Sequence, residues 1–461
     1  MGQDILDGNL PYTVLGGGGN KPPLAYAAFA LFILFSGKSI VGIRMAGTLC
    51  ILASTWATYR IGVELRDQRT GFIAALLFAL FSTLSGGKAT LTEHIALVPT
   101  MFALYLLLAE EGSTARWFTV GVLLSVAALV RVDLVPLGLA VGLAAVSQSA
   151  FSLNGVPIRR LLALVAGGLL PPMLISAVYF YNGVLDVLIK SAVLAPLDFA
   201  RSGRLPFTTF KVFLHRMFLG SNLLLGAGVM GGSVLVIKHW NSFDRTQRMV
   251  MRWSSIFFVS IGVAVINSPG GHNHHFILLT PFLALLAGYF FSRLYQSWSA
   301  LAASTSLTVI LVASAYLPIG PEYKQLVSTL VRNEPLFSDT GYRLGEYLKR
   351  ANPSRQPMYL MHWHIAHWFT DTKPLLHSVV HPSTIGKPLV LQSLISASAT
   401  PETELRRLLA LAPLYIVKNK DEWYLEECPE AKRILEETLA KKYTLVEQIG
   451  FAYIYERKSQ T

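Results

Sequence analysis

Between residues 24 and 318 the chain consists of long apolar runs whose interiors carry almost no charge, with the ionisable residues gathered at their ends. A stretch of about 20 largely apolar residues spans a bilayer as a helix, and short spans manage with about 17. A water-soluble core does not need ten such runs in succession, so the pattern restricts the chain to a polytopic α-helical membrane protein. Composition agrees. Only 14% of the 461 residues are charged and the mean hydropathy is +0.47, where a soluble domain is about a quarter charged.

Ten segments qualify as spans, some of them short: roughly 40–59, 71–86, 94–109, 117–130, 133–148, 161–181, 219–238, 254–268, 276–292 and 299–318. The run from Leu24 to Phe35 stops at Ser-Gly-Lys and is too short to cross, so it is expected to lie in the interface. The pair 117–130 and 133–148 is expected to be two helices broken near Arg131. One continuous helix would hold Arg131 and Asp133 at mid-membrane, where charge is expensive. Beyond residue 320 charge density rises and helical patterns (TGYRLGEYLKRAN, CPEAKRILEETLAKKY) alternate with strand-like runs (PMYLMHW, APLYIVKN, FAYIYER). A C-terminal soluble α/β domain over 320–461 is the expectation, beside a membrane domain over 1–319.

Lys and Arg in short loops set orientation. One set of loops carries Arg60, Arg66, Arg69, Arg116, Arg159, Arg160, Lys238, Arg245, Arg248, Arg252 and Arg293. That side is expected to be cytoplasmic, with the C-terminal region outside, periplasmic in a Gram-negative cell. The opposite loops are poor in cations except 182–218, which holds Lys190, Arg201, Arg204, Lys211 and Arg216. The net charge of +12 is accounted for by these loops and by anionic headgroups. With no basic–aromatic stripe on a polar surface, nucleic acid is not an expected partner. Cys50 lies in an apolar run and Cys428 in the polar tail, so no disulfide framework is expected. The first thirteen residues have neither the basic region nor the apolar core of a signal peptide.

On the outer side the reading places Lys21, Arg44, Lys88, Glu93, His94, Arg131, Asp133, the 182–218 loop and GGHNHHF at 270–276. Several cations with one or two carboxylates facing one leaflet suit an anionic headgroup and a base. Lys21 follows four glycines and precedes Pro22 and Pro23, at the N-terminus of a helix whose dipole favours anions. A lysine snorkelling beside an interfacial helix explains the same residues. Glu93 opens an apolar helix behind Thr92. It serves there as a cap stabilised by the helix dipole, as a general base, or as a ligand of an acceptor or metal. The histidines of HNHH (272–275) and HWHIAHW (362–368) match no zinc-protease spacing. A strand through HWH would put His362 and His364 on one face, and headgroup contact suits His272, His274 and His275 better than metal. GGGGNKPP is not a Walker loop, because Pro follows the lysine and no strand precedes it. No metal site is assigned and no cofactor is expected, the need for a divalent metal being left open.

The order GNLPY, NKPPL with Tyr26, IRMAGTL, LRDQRTGFIAALLFALFS and a Thr-Glu helix start, then YFYNGVLDVLIKSAV and HHFILLTPFLALLAG, resembles the polyprenyl-phosphate-sugar-dependent glycosyltransferases of the C-type membrane fold. That group includes the aminoarabinose and galacturonic acid transferases of lipopolysaccharide and the protein O-mannosyltransferases. The resemblance covers residues 1 to about 300 well and the tail loosely. It implies transfer of a sugar from a polyprenyl-phosphate donor to an acceptor hydroxyl of a cell-envelope lipid, polysaccharide or protein, by inverting displacement on the outer face of the cytoplasmic membrane. Lys21 would contact the donor phosphate, with Arg131 and Arg44 as further phosphate ligands. Glu93 would be catalytic, and His94, Asp133, Lys190, Arg201, His274 and His275 would meet the acceptor or headgroup. The family's leading catalytic carboxylate precedes its G-x-L-P-Y segment, and this chain starts after that point, so a chain lacking its N-terminal helix, inactive as it stands, is the expectation. A degenerate relative that only binds polyprenyl lipid is the alternative. A transporter would require mid-membrane charges and repeated halves, and neither is found.

Overall fold

The computed structural model describes residues 2–14, 21–83, 89–108, 113–151, 158–201, 210–212, 214–215, 223–267, 273–297, 320–321, 323–333, 339–376 and 382–459, with single residues at 305, 312 and 316. The glycine run at 16–19, Lys88, Arg204, Arg216, His272 and most of the expected span 299–318 lie outside them.

Each of the first nine expected spans meets a helix. After a short α1 (Gly2–Leu6) come α2 (Pro23–Ser36), α3 (Ile40–Leu65), α4 (Gln68–Ser82), α5 (Thr92–Leu107), α6 (Thr114–Val130), α7 (Val135–Phe151) and α8 (Ile158–Tyr181). Helices Leu223–His239, Arg245–Ile266 and Thr280–Ser297 follow among the described residues. Among the described residues four helices are long and apolar enough to cross a membrane: α3, α8, Leu223–Ser242 with its terminal turn, and Arg245–Ile266. The others are shorter.

Their surfaces settle the solvent. Met45, Leu49 and Leu52 of α3, Leu139 and Leu143 of α7, and Leu162, Leu169 and Met173 of α8 are all more than half exposed. Contiguous apolar patches of this extent do not face water in a soluble protein. Lipid is the medium that removes their cost, and the chain is a membrane protein. Inside, Ile61, Phe78, Leu97, Met101, Leu104 and Phe257 form one continuous core. Small residues draw helices together. A Cβ built on Gly167 of α8 would stand 2.0 Å from the Phe118 carbonyl oxygen of α6, and one on Gly121 2.1 Å from that of Leu164. Only glycine allows that approach.

The chain breaks where the paired charges predict. Arg131 caps α6 in an extended conformation, a 3-10 turn runs through Val132–Leu134, and α7 starts at Val135. On the same side, α2 starts behind Pro22 with Pro23 in its first turn, where a missing N–H costs nothing.

The C-terminal region carries a four-stranded sheet ordered β1-β2-β4-β3, from β1 (Met358–Leu360), β2 (Tyr415–Asn419), β3 (Tyr443–Ile449) and β4 (Ala452–Arg457). β1 pairs parallel with β2, while β2–β4 and β3–β4 are antiparallel. Helices Thr340–Ala351, Pro401–Ala410 and Pro429–Lys442 pack on it over Leu344, Leu405 and Leu435. One expectation is corrected. HWH is not strand: β1 ends at Leu360, and Trp363 takes a left-handed φ of 52° that a β-ladder cannot continue. The motif instead turns into the helix Ala366–Thr370.

Candidate active site

The N-terminal end of α5 anchors the site. Leu91 is extended and its N–H donates to His94 Nδ1 at 3.2 Å. That bond satisfies a backbone donor that a helix start otherwise leaves orphaned. His94 is fully buried, so it shapes the helix start. Glu93, one residue earlier, is only 1% exposed and projects toward the break between α6 and α7.

Arg131 meets it there. Its Nη1 pairs with Glu93 Oε1 and lies 3.4 Å from Thr92 Oγ1, while Nε donates to Asp133 Oδ1 at 3.0 Å and Nη2 pairs with Asp133 Oδ2. The guanidinium is thus held by a fork to Asp133 and a single arm to Glu93, whose second oxygen accepts from Thr92 Oγ1 at 3.2 Å. Both arms are charge-assisted bonds, and the arm to Glu93 is buried, where such bonds are strongest. The 3-10 turn Asn273–Leu278 brings two imidazoles in from above: His274 Nε2 and His275 Nε2 each stand 3.5 Å from Glu93 Oε1.

Lys21 joins the same field. Burial holds its ammonium below the ordinary lysine value and the Arg131 charge lowers it further, while Glu93 and Asp133 oppose that shift. The backbone at Lys21 is clamped. Tyr12 donates its hydroxyl to the Lys21 carbonyl and packs edge-on against Tyr26 of α2 at 5.7 Å, and Tyr179 at the end of α8 donates to the Pro11 carbonyl at 3.0 Å. Residues 8–14 therefore dock on α2 and α8 and carry Lys21 to the mouth of α5.

Lys21, Glu93, Arg131, Asp133, His274 and His275 thus converge, and His94 supports them from beneath. The remaining site candidates stand elsewhere. Arg44 lines a separate cavity beside the C-terminal region. Lys190 is half-exposed and bonds Asp186 at 3.2 Å, while Arg201 is mostly exposed and bonds Asp198 at 3.0 Å. Sequence reasoning missed the clamp of Tyr12 and Tyr179, although the tyrosines of GNLPY and YFY were its visible signal.

Chemically, the cluster offers two cations, Lys21 and the ion-paired Arg131, around a carboxylate and two imidazoles. Charge developing on a phosphate would find fixed donors here. Glu93, His274 and His275 also offer three ligand atoms within 4.8 Å of one another, a carboxylate–imidazole set that suits zinc or a similar ion. Arg131 already occupies the Glu93 oxygen nearest both imidazoles, so a metal would have to share or displace that bond.

The family model described as dolichyl-phosphate-mannose-protein mannosyltransferase matches residues 20–175, the segment holding Lys21, Glu93, Arg131 and Asp133. No curated protein sequence matches the chain. Among solved structures, ArnT from Cupriavidus metallidurans bound to undecaprenyl phosphate superposes at TM-score 0.66 and 12% identity, over 100% of this chain and 92% of that one. The apo state of the same protein gives 0.62 and 13%, over 98% and 91%. Archaeal oligosaccharyltransferase AglB from Archaeoglobus fulgidus, in complex with an inhibitory peptide and a dolichol-phosphate, gives 0.51 and 13%, over 97% and 68%.

Proposed function

We propose, for a chain that carries the C-type membrane glycosyltransferase fold, that it transfers a sugar from a polyprenyl-phosphate donor to an acceptor hydroxyl at the outer face of the cytoplasmic membrane. The observation that carries this reading is the convergence of Lys21 and Arg131 with the buried Glu93. The donor phosphate sits at Lys21 with its isoprenoid chain along the exposed apolar face of α2, where Leu34 and Phe35 point outward. The acceptor oxygen attacks the anomeric carbon from the face opposite the phosphate, the C–O bond to phosphate breaks, and the configuration inverts. The ring passes through an oxocarbenium-like transition state, as in glycoside hydrolysis. Lys21 and the adjacent guanidinium take up the charge that gathers on the leaving phosphate. Glu93, with His274 and His275, orients the acceptor hydroxyl and receives its proton directly or through a neighbouring base. Ten spans, an outer C-terminal α/β domain and a cell-envelope acceptor belong to the same reading.

The test is Lys21→Ala made at the native gene and compared with wild type in cell membranes, with a polyprenyl-phosphate sugar as donor and envelope lipid as acceptor. One donor removed from charge stabilisation costs about 3–4 kcal/mol, so turnover falls at least about a hundredfold. Wild-type turnover in that variant defeats the assignment.

A further inference from the structure

α3 begins on the side of Glu93, where the Thr90 hydroxyl donates to the Ile43 carbonyl at 2.8 Å. Its 26 residues carry the chain about 39 Å along the helix axis to the opposite end of the bundle. Three arginines gather there. Arg66 follows α3, Arg69 sits in the first turn of α4, and Arg293 lies near the end of the helix Thr280–Ser297. The guanidinium carbons of Arg66 and Arg293 stand 5.9 and 5.7 Å from the centroid of a single ring, that of Tyr289. That tyrosine is fully buried, and Phe243 packs edge-on against it at 5.8 Å. Arg69 lies over Tyr295, 5.1 Å from its centroid. Each cation gains from its ring, but the like charges of Arg66 and Arg293 repel.

The chain supplies little to balance them. Asp67 stands 3.6 Å from Arg66, yet its Oδ1 already accepts the Thr70 N–H and hydroxyl at 2.8 Å each, as the cap of α4. Arg66 donates to the buried Ser292 hydroxyl at 3.2 Å. Among the described residues Arg69 and Arg293 have no carboxylate partner, and the buried Arg293 Nε has no hydrogen-bond acceptor. A buried donor left unmatched is costly, and an acceptor from outside the chain removes that cost. Arginines that only fix the orientation of a membrane protein turn their heads to water. Arg66, with 12% of its side chain exposed, and Arg293 are instead held against a buried ring. The place opens to lipid on one side, because Phe72, three residues further into the membrane than Arg69 along α4, is 60% exposed.

We infer that Arg66, Arg69 and Arg293 form a binding site for the phosphate of an anionic phospholipid in the leaflet opposite Glu93, with an acyl chain lying along Phe72. Guanidinium forks match the oxygens of a phosphate, and basic pockets between spanning helices hold anionic headgroups. The bound phosphate ties the turn between α3 and α4 to the end of the helix Thr280–Ser297. The site is remote from sugar transfer and stands or falls independently of it.

The experiment titrates the full chain, delipidated in a mild detergent, with phosphatidylglycerol, phosphatidylcholine and inorganic phosphate. Bound lipid is read by native mass spectrometry and Tm is followed beside it, in wild type, Arg69→Gln, Arg293→Gln and Lys190→Ala. Arg69 is exposed, so its variant folds even if loss of Arg293 disturbs the packing around Tyr289. Phosphatidylglycerol binds wild type at least about tenfold more tightly than phosphatidylcholine and raises its Tm. Its Kd rises at least about fivefold in Arg69→Gln and in Arg293→Gln, while Lys190→Ala binds it as wild type does. Equal binding of the two lipids, or an unchanged Kd in either folded arginine variant, overturns the site. Inorganic phosphate that binds as tightly as phosphatidylglycerol overturns the assignment to a lipid.

Discussion

Replacing Arg131 with methionine removes the guanidinium that ties Glu93 to Asp133. The side chains of Arg131 and Glu93 are 4% and 2% exposed, so Glu93 would be left as a buried carboxylate facing two imidazoles at 3.5 Å and the Lys21 ammonium. Removing one partner of a buried ion pair costs about 3–5 kcal/mol, chiefly from the stranded charge. Because Lys21 still offsets part of that charge, about 3 kcal/mol is expected. Glu93→Gln is milder, since Arg131 keeps its fork to Asp133. In the double variant no carboxylate remains at 93 to be stranded, so its loss should fall short of the sum of the single losses by at least about 1.5 kcal/mol, within the range measured for contacting residues. Denaturant unfolding of the four proteins in one detergent gives the cycle, and turnover is measured beside it. Both single variants and the double variant lose activity, while stability is partly restored in the double. Losses that add to within about 0.5 kcal/mol would mean that the two groups act independently, and the site as described would be wrong.

Burial and the neighbouring His364 push His367 down to about 3, where an unfolded histidine titrates near 6.5. The unfolded chain then binds more protons between those values, so this stabilisation is complete above about pH 6.5 and is lost progressively toward pH 3. Unfolding of the C-terminal region should show about 2 kcal/mol less stability at pH 5 than at pH 7, absent in His367→Gln. Gly167→Ala forces a methyl to 2.0 Å from the Phe118 carbonyl oxygen. It should lower stability by about 1–3 kcal/mol, read as a fall in Tm. Lys190→Ala and Arg201→Ala remove exposed pairs, and stability should stay within about 0.5 kcal/mol of wild type.

Much of this was legible because a bilayer makes charge conspicuous. Arg131 and Asp133 between two apolar runs favour a break over one long helix, and the structure has one there. Lys21, Glu93, Asp133 and His274 sit at run ends that topology assigns to one side, which is why they converge. What the sequence did not reveal has local causes. Lys190 and Arg201, placed among the headgroup ligands by loop and charge, stand apart from the cluster and bond Asp186 and Asp198, four and three residues back. The fully buried His94 serves the helix start through its own backbone turn, a bond that residue type does not reveal. HWH alternates like a strand, but the left-handed turn at Trp363 depends on packing that periodicity cannot see. The cavity at Arg44 joins residues more than 300 positions apart, and no short pattern carries that.

The contacts of Lys38 with Asp371 and of Asp4 with Lys373 stitch both chain ends together across the bundle. Cutting away everything past residue 338 would remove both pairs, yet α1 would keep its packing on α2 at Gly2 and the segment before Lys21 its bonds to Tyr12 and Tyr179. An exchanged tail without carboxylate and ammonium at these places would therefore leave the phosphate ligand where it is and loosen only the seam between the two regions.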